Sequence, residues 1–350
     1  MKTSRDLFKR PFLLFFSVWL AFTAAMAQAG EAPSLFDVLS HREVVDLTLE
    51  ADFDAIQANR LKDFTYPARM QFRDASGKLQ TWSLKLSVRG AFRRVHCVGV
   101  PPLKLNFKKS DLEAAGLARF DDLKLVTQCL ADEERAADMV LREYLCYKFF
   151  NEISPYSFRV QLLRITYKHS RSSLQHTEWA FLIEDGAQLR HRTGSDKVES
   201  ERIYNMPRDS FHVEHEKIVA MFQYFIGNTD WSLASMRNLY LMKRHGKYIV
   251  VPYDFDFSGM VNAPYASANP EYQINSVRER IYLGFPEDLE DLHVAQAILL
   301  GHRPKFERLI RRFRYLSPAS RRDMLQFMRK YYDSTEEVRP AERVVLTSGN

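Results

Sequence analysis

The chain has 350 residues, 46% of them hydrophobic and 27% charged, with a net charge of +6 and three cysteines. This composition excludes a disordered or low-complexity protein, and the length suffices for one large domain or two lobes. Residues 1–11 hold four basic residues against one acid, half of the net charge, so about +3 remains beyond them, a poor match to a nucleic-acid binder.

The basic start is followed by an apolar run over 12–25 and by small residues at Ala25, Ala27 and Ala29. Together they predict a cleavable signal peptide over 1–29. The apolar run is shorter than the roughly 20 residues of a spanning helix. The expected product is periplasmic or secreted, without a transmembrane segment after cleavage. Export permits disulfides. Cys97 and Cys129 flank strand-like segments and are the expected pair, whereas Cys146 lies in a helical apolar pattern as a buried thiol.

Apolar and polar residues alternate over 43–49, 81–88, 103–107 and 122–126, which predicts strands. Short intervening segments point to antiparallel pairing. Residues 132–151 read as a helix with Asp132 as its N-cap, and strands return at 158–167 and 178–183. A polar stretch over 184–210 marks a boundary between an N-lobe (30–185) and a C-lobe (186–340), followed by a flexible tail (341–350). Within the C-lobe the pattern gives a helix ending before Gly227, strands at 239–242 and 248–251, and three terminal helices punctuated by Pro286, Gly301, Pro304 and Pro318.

Four groups of residues carry candidate chemistry. Asp254 and Asp256 follow the last strand, and in an extended segment they face one side with Phe255 and Phe257 on the other. Such paired carboxylates suit a hard divalent cation. Asp230 lies on the loop after the helix stop at Gly227, with Asn238 at the entry to the next strand. Glu143 interrupts an apolar helical stripe of Met139, Cys146 and Phe150, so it requires a partner; Lys104 is the first candidate, ahead of Arg89, Lys85 and Lys124. Finally, Arg89, Arg93 and Arg94 surround Gly90 and Ala91 in a turn able to offer planar donors to phosphate.

These segments, from Arg89-Gly90 and 103–107 through the helix at 132–151 to Ile226-Gly-Asn-Thr-Asp-Trp231, Arg237-Asn238 and Pro252-Tyr-Asp-Phe-Asp256, resemble the ordered motifs of the spore-coat-H (CotH) kinase-like family. They are most similar to exported bacterial relatives of that family, over roughly 44–262. The resemblance implies an α+β, bilobal atypical protein-kinase-like fold, with an antiparallel-sheet N-lobe carrying one main helix and a mainly helical C-lobe. It also implies phosphoryl transfer from ATP, with Mg2+ or Mn2+, to an exported protein or other envelope substrate. By position, Asp230 resembles the catalytic acid, Asp254 the metal-binding acid, with Asn238 and Asp256 beside it. Lys104 and Glu143 resemble the lysine–glutamate pair, with Arg89 near the nucleotide. The alternative is a catalytically inactive binding module of the envelope built on the same cleft.

Overall fold

The computed structural model describes residues 31–199, 205–334 and 338–341. The expected signal peptide lies outside the described residues, as does the expected tail beyond Ala341. Among the described residues no helix is long and apolar enough to cross a membrane.

The first half is built from α1 (Leu35–Leu39), β1 (Val44–Ala51), α2 (Phe53–Ala58), β2 (Thr65–Arg73), β3 (Leu79–Val88), α3 (Phe92–His96), β4 (Leu103–Phe107), α4 (Lys109–Ala114) and β5 (Asp122–Val126). Then follow α5 (Glu133–Ile153), β6 (Val160–His169), β7 (Gln175–Ile183), α6 (Gly186–Thr193) and β8 (Asp196–Lys197). The remainder comprises α7 (Val213–Ile226), β9 (Leu239–Arg244), β10 (Lys247–Pro252), α8 (His293–Arg312) and α9 (Pro318–Asp333).

Strands β1 to β7 close into a barrel in the order β1-β2-β3-β4-β5-β7-β6. All its pairings are antiparallel except the one that closes it, where β1 runs parallel to β6 from Val44 opposite Leu162 to Ala51 opposite His169. The expected bilobal kinase-like fold with an antiparallel-sheet N-lobe is therefore corrected to a closed, mixed seven-stranded barrel with helices around it. The reason is local. Alternation identifies a strand and its buried face, but carries no record of which distant strand it pairs with or in which direction.

Alternation sorts the side chains onto two faces. Leu47 and Leu49 of β1, Leu84 and Leu86 of β3, Leu105 of β4 and Leu182 of β7 fill the barrel. Val126, Leu162, Phe181 and Ile183 turn outward into a second core shared with α5, α7, α8, α9 and the β9–β10 hairpin. Helix α5 lies at the centre of that outer layer. Asp132 caps it, accepting from the Arg135 amide at 3.0 Å, and both Glu133 and Glu134 sit in its first turn where the helix dipole favours acids. It is buried nearly all round, polar Arg142 and Glu143 included.

The first part of the stretch expected as a lobe boundary, residues 184–197, is folded. It contains α6 and β8, and Glu184 is fully buried, paired with Arg159 and Arg192. Helix α8 also runs through both Gly301 and Pro304, where the sequence suggested punctuation. Leu299, Phe306 and Ile310 anchor it in the outer core on both sides of the proline, so packing overrides the local preference.

Candidate active site

The candidate residues converge where the outer face of the barrel meets α5 and the exit of the β9–β10 hairpin. Glu143 of α5 and Asp254 and Asp256, just after β10, each bring a carboxylate oxygen within 4.8 Å of the others. The segment is not extended as expected. Asp254 has φ of 64° in the left-handed region, and its amide donates to the Tyr147 hydroxyl at 2.9 Å. That turn drives Phe255 into the core against Tyr147 and Phe222 and brings both acids to α5. A non-glycine residue in this conformation is uncommon, and such strain gathers at functional sites.

Glu143 does not pair with Lys104. Its partner is Arg93 of α3, whose Nη2 lies 2.5 Å from Glu143 Oε2 while Nε donates to Asp256 Oδ2 at 3.0 Å. The Tyr265 hydroxyl donates to the same Asp256 oxygen at 2.8 Å. Lys104 instead reaches Asp122 Oδ2 at 2.7 Å. The β4–β5 register explains this: Lys104 stands directly opposite Lys124, on the outward face, one row away from Asp122.

One buried acceptor at the centre is unsatisfied among the described residues, and a second carboxylate is left without a protein partner. Glu143 is 1% exposed, yet its Oε1 has no hydrogen-bond partner. The half-buried Asp254 carboxylate receives no hydrogen bond or ion pair. Burial raises the Asp254 pKa, as does Asp256, against the opposing pull of Arg93, Arg89 and Lys124. Burial raises that of Glu143 as well, with Arg93 opposing. Around Arg93 burial opposes the charge, but Asp256 and Glu143 outweigh it and hold the guanidinium protonated.

Lys124 is the cationic residue that sequence reasoning placed last. Its Nζ sits 5.3 Å from the Phe158 ring centre and 4.9 Å from that of Tyr253, and no described carboxylate pairs with it. Burial and the neighbouring Arg89 bring its pKa down to about 8, against Asp254. Arg89 contributes a second guanidinium without an ion pair among the described residues, and its charge is felt at Asp254 and Tyr253. The available signal was the alternation of Asp122-Leu-Lys-Leu-Val126, which puts Lys124 on the same face as Lys104.

Asp230 is presented by the turn that ends α7. Gly227 adopts φ of 65°, a left-handed C-cap, and the Asp230 amide then donates to Asn228 Oδ1 at 2.9 Å. Asn238 does not join the three acids. Its Nδ2 donates to the Asp230 main-chain oxygen at 2.6 Å and to Oδ2 at 2.9 Å, while Arg237 Nε lies 3.4 Å from Oδ1. Asn238, itself at φ of 55°, is thus a positioning residue for Asp230. Burial pushes the Asp230 pKa up to about 6, Arg237 opposing and Asp254 and Asp256 adding to the rise.

No family model and no curated protein matches this chain. The functional reading therefore rests on the site itself.

A disulfide joins Cys97, the residue after α3, to Cys129 between β5 and α5, with 4.3 Å between their Cα atoms. Cys146 is a buried free thiol. The cross-link fixes the Arg93 helix beside the segment that leads into α5.

Proposed function

We propose that this chain transfers a phosphoryl group from a nucleoside triphosphate, ATP in the first instance, to an exported protein or other envelope acceptor. Mg2+ or Mn2+ would be held by Asp254, Glu143 and Asp256. The observation that carries the reading is one juxtaposition: Glu143, with a buried unsatisfied oxygen, Asp254 and Asp256 bring carboxylate oxygens within 4.8 Å of one another, and Asp254 feels the charge of Arg89 and Lys124, which lack ion-pair partners among the described residues. Carboxylate oxygens suit a hard divalent ion, and planar guanidinium and ammonium groups suit phosphate oxygens. A divalent cation supplies charge neutralisation of the phosphates when bound.

The remaining roles fall to the protein. Arg89 and Lys124 bind phosphate oxygens, and Asp230 accepts the proton of the acceptor hydroxyl. Asn238 and Arg237 fix its orientation through bonds to Oδ2 and Oδ1. Phosphoryl transfer asks chiefly for such positioning and charge stabilisation. The closed barrel lends this reading no support by analogy. The Cys97–Cys129 disulfide agrees with an oxidising, extracytoplasmic location.

Calorimetry with ATP and Mg2+ tests the assignment. Asp254→Asn should abolish metal-dependent nucleotide binding, because an amide is a poor substitute for a carboxylate toward Mg2+. Asp230→Ala should keep that binding and lose turnover. Metal-dependent binding that survives Asp254→Asn overturns the reading. A second reading, a catalytically inactive module that binds anions, is favoured by Arg93 already neutralising two of the three acids. Nucleotide binding indifferent to metal, with no turnover, would establish it instead.

A further inference from the structure

The residue that partners two of the three acids is also the one that stands in the way of a metal ion. The Arg93 guanidinium bonds Glu143 at 2.5 Å and Asp256 at 3.0 Å, and Arg93 is 8% exposed, so its charge sits within the carboxylate cluster rather than at its rim. A divalent cation bound to the same oxygens would lie within a few ångströms of that charge, and in a buried setting such repulsion is weakly screened.

The element carrying Arg93 is short and bounded by glycines. Helix α3 has only five residues and no side-chain N-cap. Gly90 and Gly99 flank it at φ of 80° and 82°, conformations that other residues rarely take, and nothing lies within 4 Å of where a Cβ would stand at either. Its outer side is solvated, with Val95 at 45% exposure, as is Val98 just beyond the helix at 58%. On its inner side Phe92 packs edge-on against Phe257 and beside Tyr265.

What restrains α3 is equally specific. The amide of Cys97 donates to the Arg93 carbonyl at 3.0 Å, which makes Cys97 the end of the helix, and that of Val98 ties this end to the Cys129 carbonyl at 3.2 Å. The Cys97–Cys129 disulfide adds a covalent tie at the same point. Arg60 completes the hold by donating to the carbonyls of Cys97 at 2.8 Å and Val95 at 2.6 Å.

We propose that Arg93 is an autoinhibitory plug in the carboxylate cluster, latched by the Cys97–Cys129 disulfide, and that reduction of this disulfide to two thiols by an external dithiol, itself oxidised to a disulfide, frees α3 to swing outward about Gly90 and Gly99 and opens the site to a divalent cation. This rests on the reading of Glu143, Asp254 and Asp256 as a cation site. In the latched state the guanidinium and the metal compete for the same oxygens. Release of α3 removes one positive charge and returns Glu143 Oε2 and Asp256 Oδ2 to the incoming ion.

Mn2+ titration of the purified full chain, followed by the electron paramagnetic resonance of free Mn2+, tests this without any assay of turnover. Arg93→Met should bind Mn2+ about tenfold more tightly or better than the unmutated chain, the scale of one partly screened unit charge at short range. Arg93→Lys, which keeps the charge, should show little gain. The decisive variant is Cys97→Ser with Cys129→Ser, which leaves Arg93 intact. A plug predicts tighter Mn2+ binding on unlatching, whereas a fixed structural counter-ion predicts none. Circular dichroism on each variant confirms that the fold is retained, and Arg60→Ala loosens the same latch if the cysteine variant fails to fold. Tight binding by Arg93→Met with no gain on unlatching, by either route, overturns the plug and leaves the cation site standing. Failure of Arg93→Met to bind Mn2+ at all removes the cation site itself.

Discussion

Asp254 and Asn238 show at single-residue scale how this chain makes a site. Both hold left-handed backbone at non-glycine positions, and both angles are needed to aim a side chain: Asp254 toward Glu143, Asn238 toward Asp230. The residue types were legible in the sequence, but the geometry was not. Period-two alternation put Asp254 and Asp256 on one side of an extended strand, whereas a turn brings them together. Glu143 was recognisable as an acid in an apolar stripe, but its partner Arg93 lies fifty residues upstream in a segment that reads only as a basic turn. Two titrations follow from the same environment. Asp230 must be ionised to accept a proton, and its pKa is raised to about 6, so turnover should rise with pH through that region. Lys124 must be charged to hold phosphate, and its pKa is lowered to about 8, so turnover should fall again above it. A bell-shaped pH–rate profile is expected, with the alkaline limb removed by Lys124→Arg, whose guanidinium stays charged. A limb that persists in Lys124→Arg would assign it to another group. Stability carries a related sign. The folded protein holds the Asp230 proton more tightly than the unfolded chain does. Its contribution therefore declines as pH rises from about 4 to about 6. Asp230→Asn should accordingly raise the melting temperature at pH 7 and leave it nearly unchanged at pH 4.

Among elements, those with strong local signals match the sequence reading, while those fixed by distant partners do not. Helix α5 begins at its capping Asp132 and stops at Ser154, ahead of Pro155, and α7 stops at Gly227, as their end signals require. The parallel pairing of β1 with β6 left no such trace, since more than a hundred residues separate Val45 from its partner Leu163. The passage of α8 through Pro304 is decided by Phe306 and Ile310 in the core. The disulfide is the element-scale feature that reasoning from compartment and position did identify. Closing a sequence separation of 32 residues, it should contribute about 3–4 kcal/mol by restricting the unfolded chain. Urea denaturation of Cys97→Ser/Cys129→Ser should show a loss of that order. Cys146 lies in the outer core without a disulfide, so Cys146→Ala should cost only about 1 kcal/mol, the value of a small buried apolar group. Equal losses in the two would mean that the cross-link acts through packing alone.

At the scale of the whole molecule, one sheet separates two cores with different duties. Inside the barrel, Leu47, Leu86, Leu105 and Leu182 belong to a core separate from that of Tyr147, Phe222 and Phe255. Outside it, Tyr147, Phe222 and Phe255 form the floor on which Asp254 and Asp256 rest, with ring centres 4.7 Å and 5.7 Å from Phe255. The closed barrel thus works as a rigid wall, and the helices and hairpin on its outer face determine where the acids stand. Substitutions of equal severity on the two sides should therefore separate stability from binding. Leu105→Ala removes a fully buried side chain from the barrel interior and should cost about 2–5 kcal/mol. Below its lowered melting temperature, metal-dependent nucleotide affinity should remain within about twofold of the unmutated chain, because such core losses are felt chiefly near the cavity. Phe255→Ala should cost about 3–5 kcal/mol and also weaken nucleotide affinity, since Phe255 lies between the two acids and fixes the turn that joins them. Calorimetry and thermal melts on both variants make the comparison. Equal loss of affinity from Leu105→Ala would show that the barrel interior and the site form one cooperative unit rather than a wall and the layer it supports.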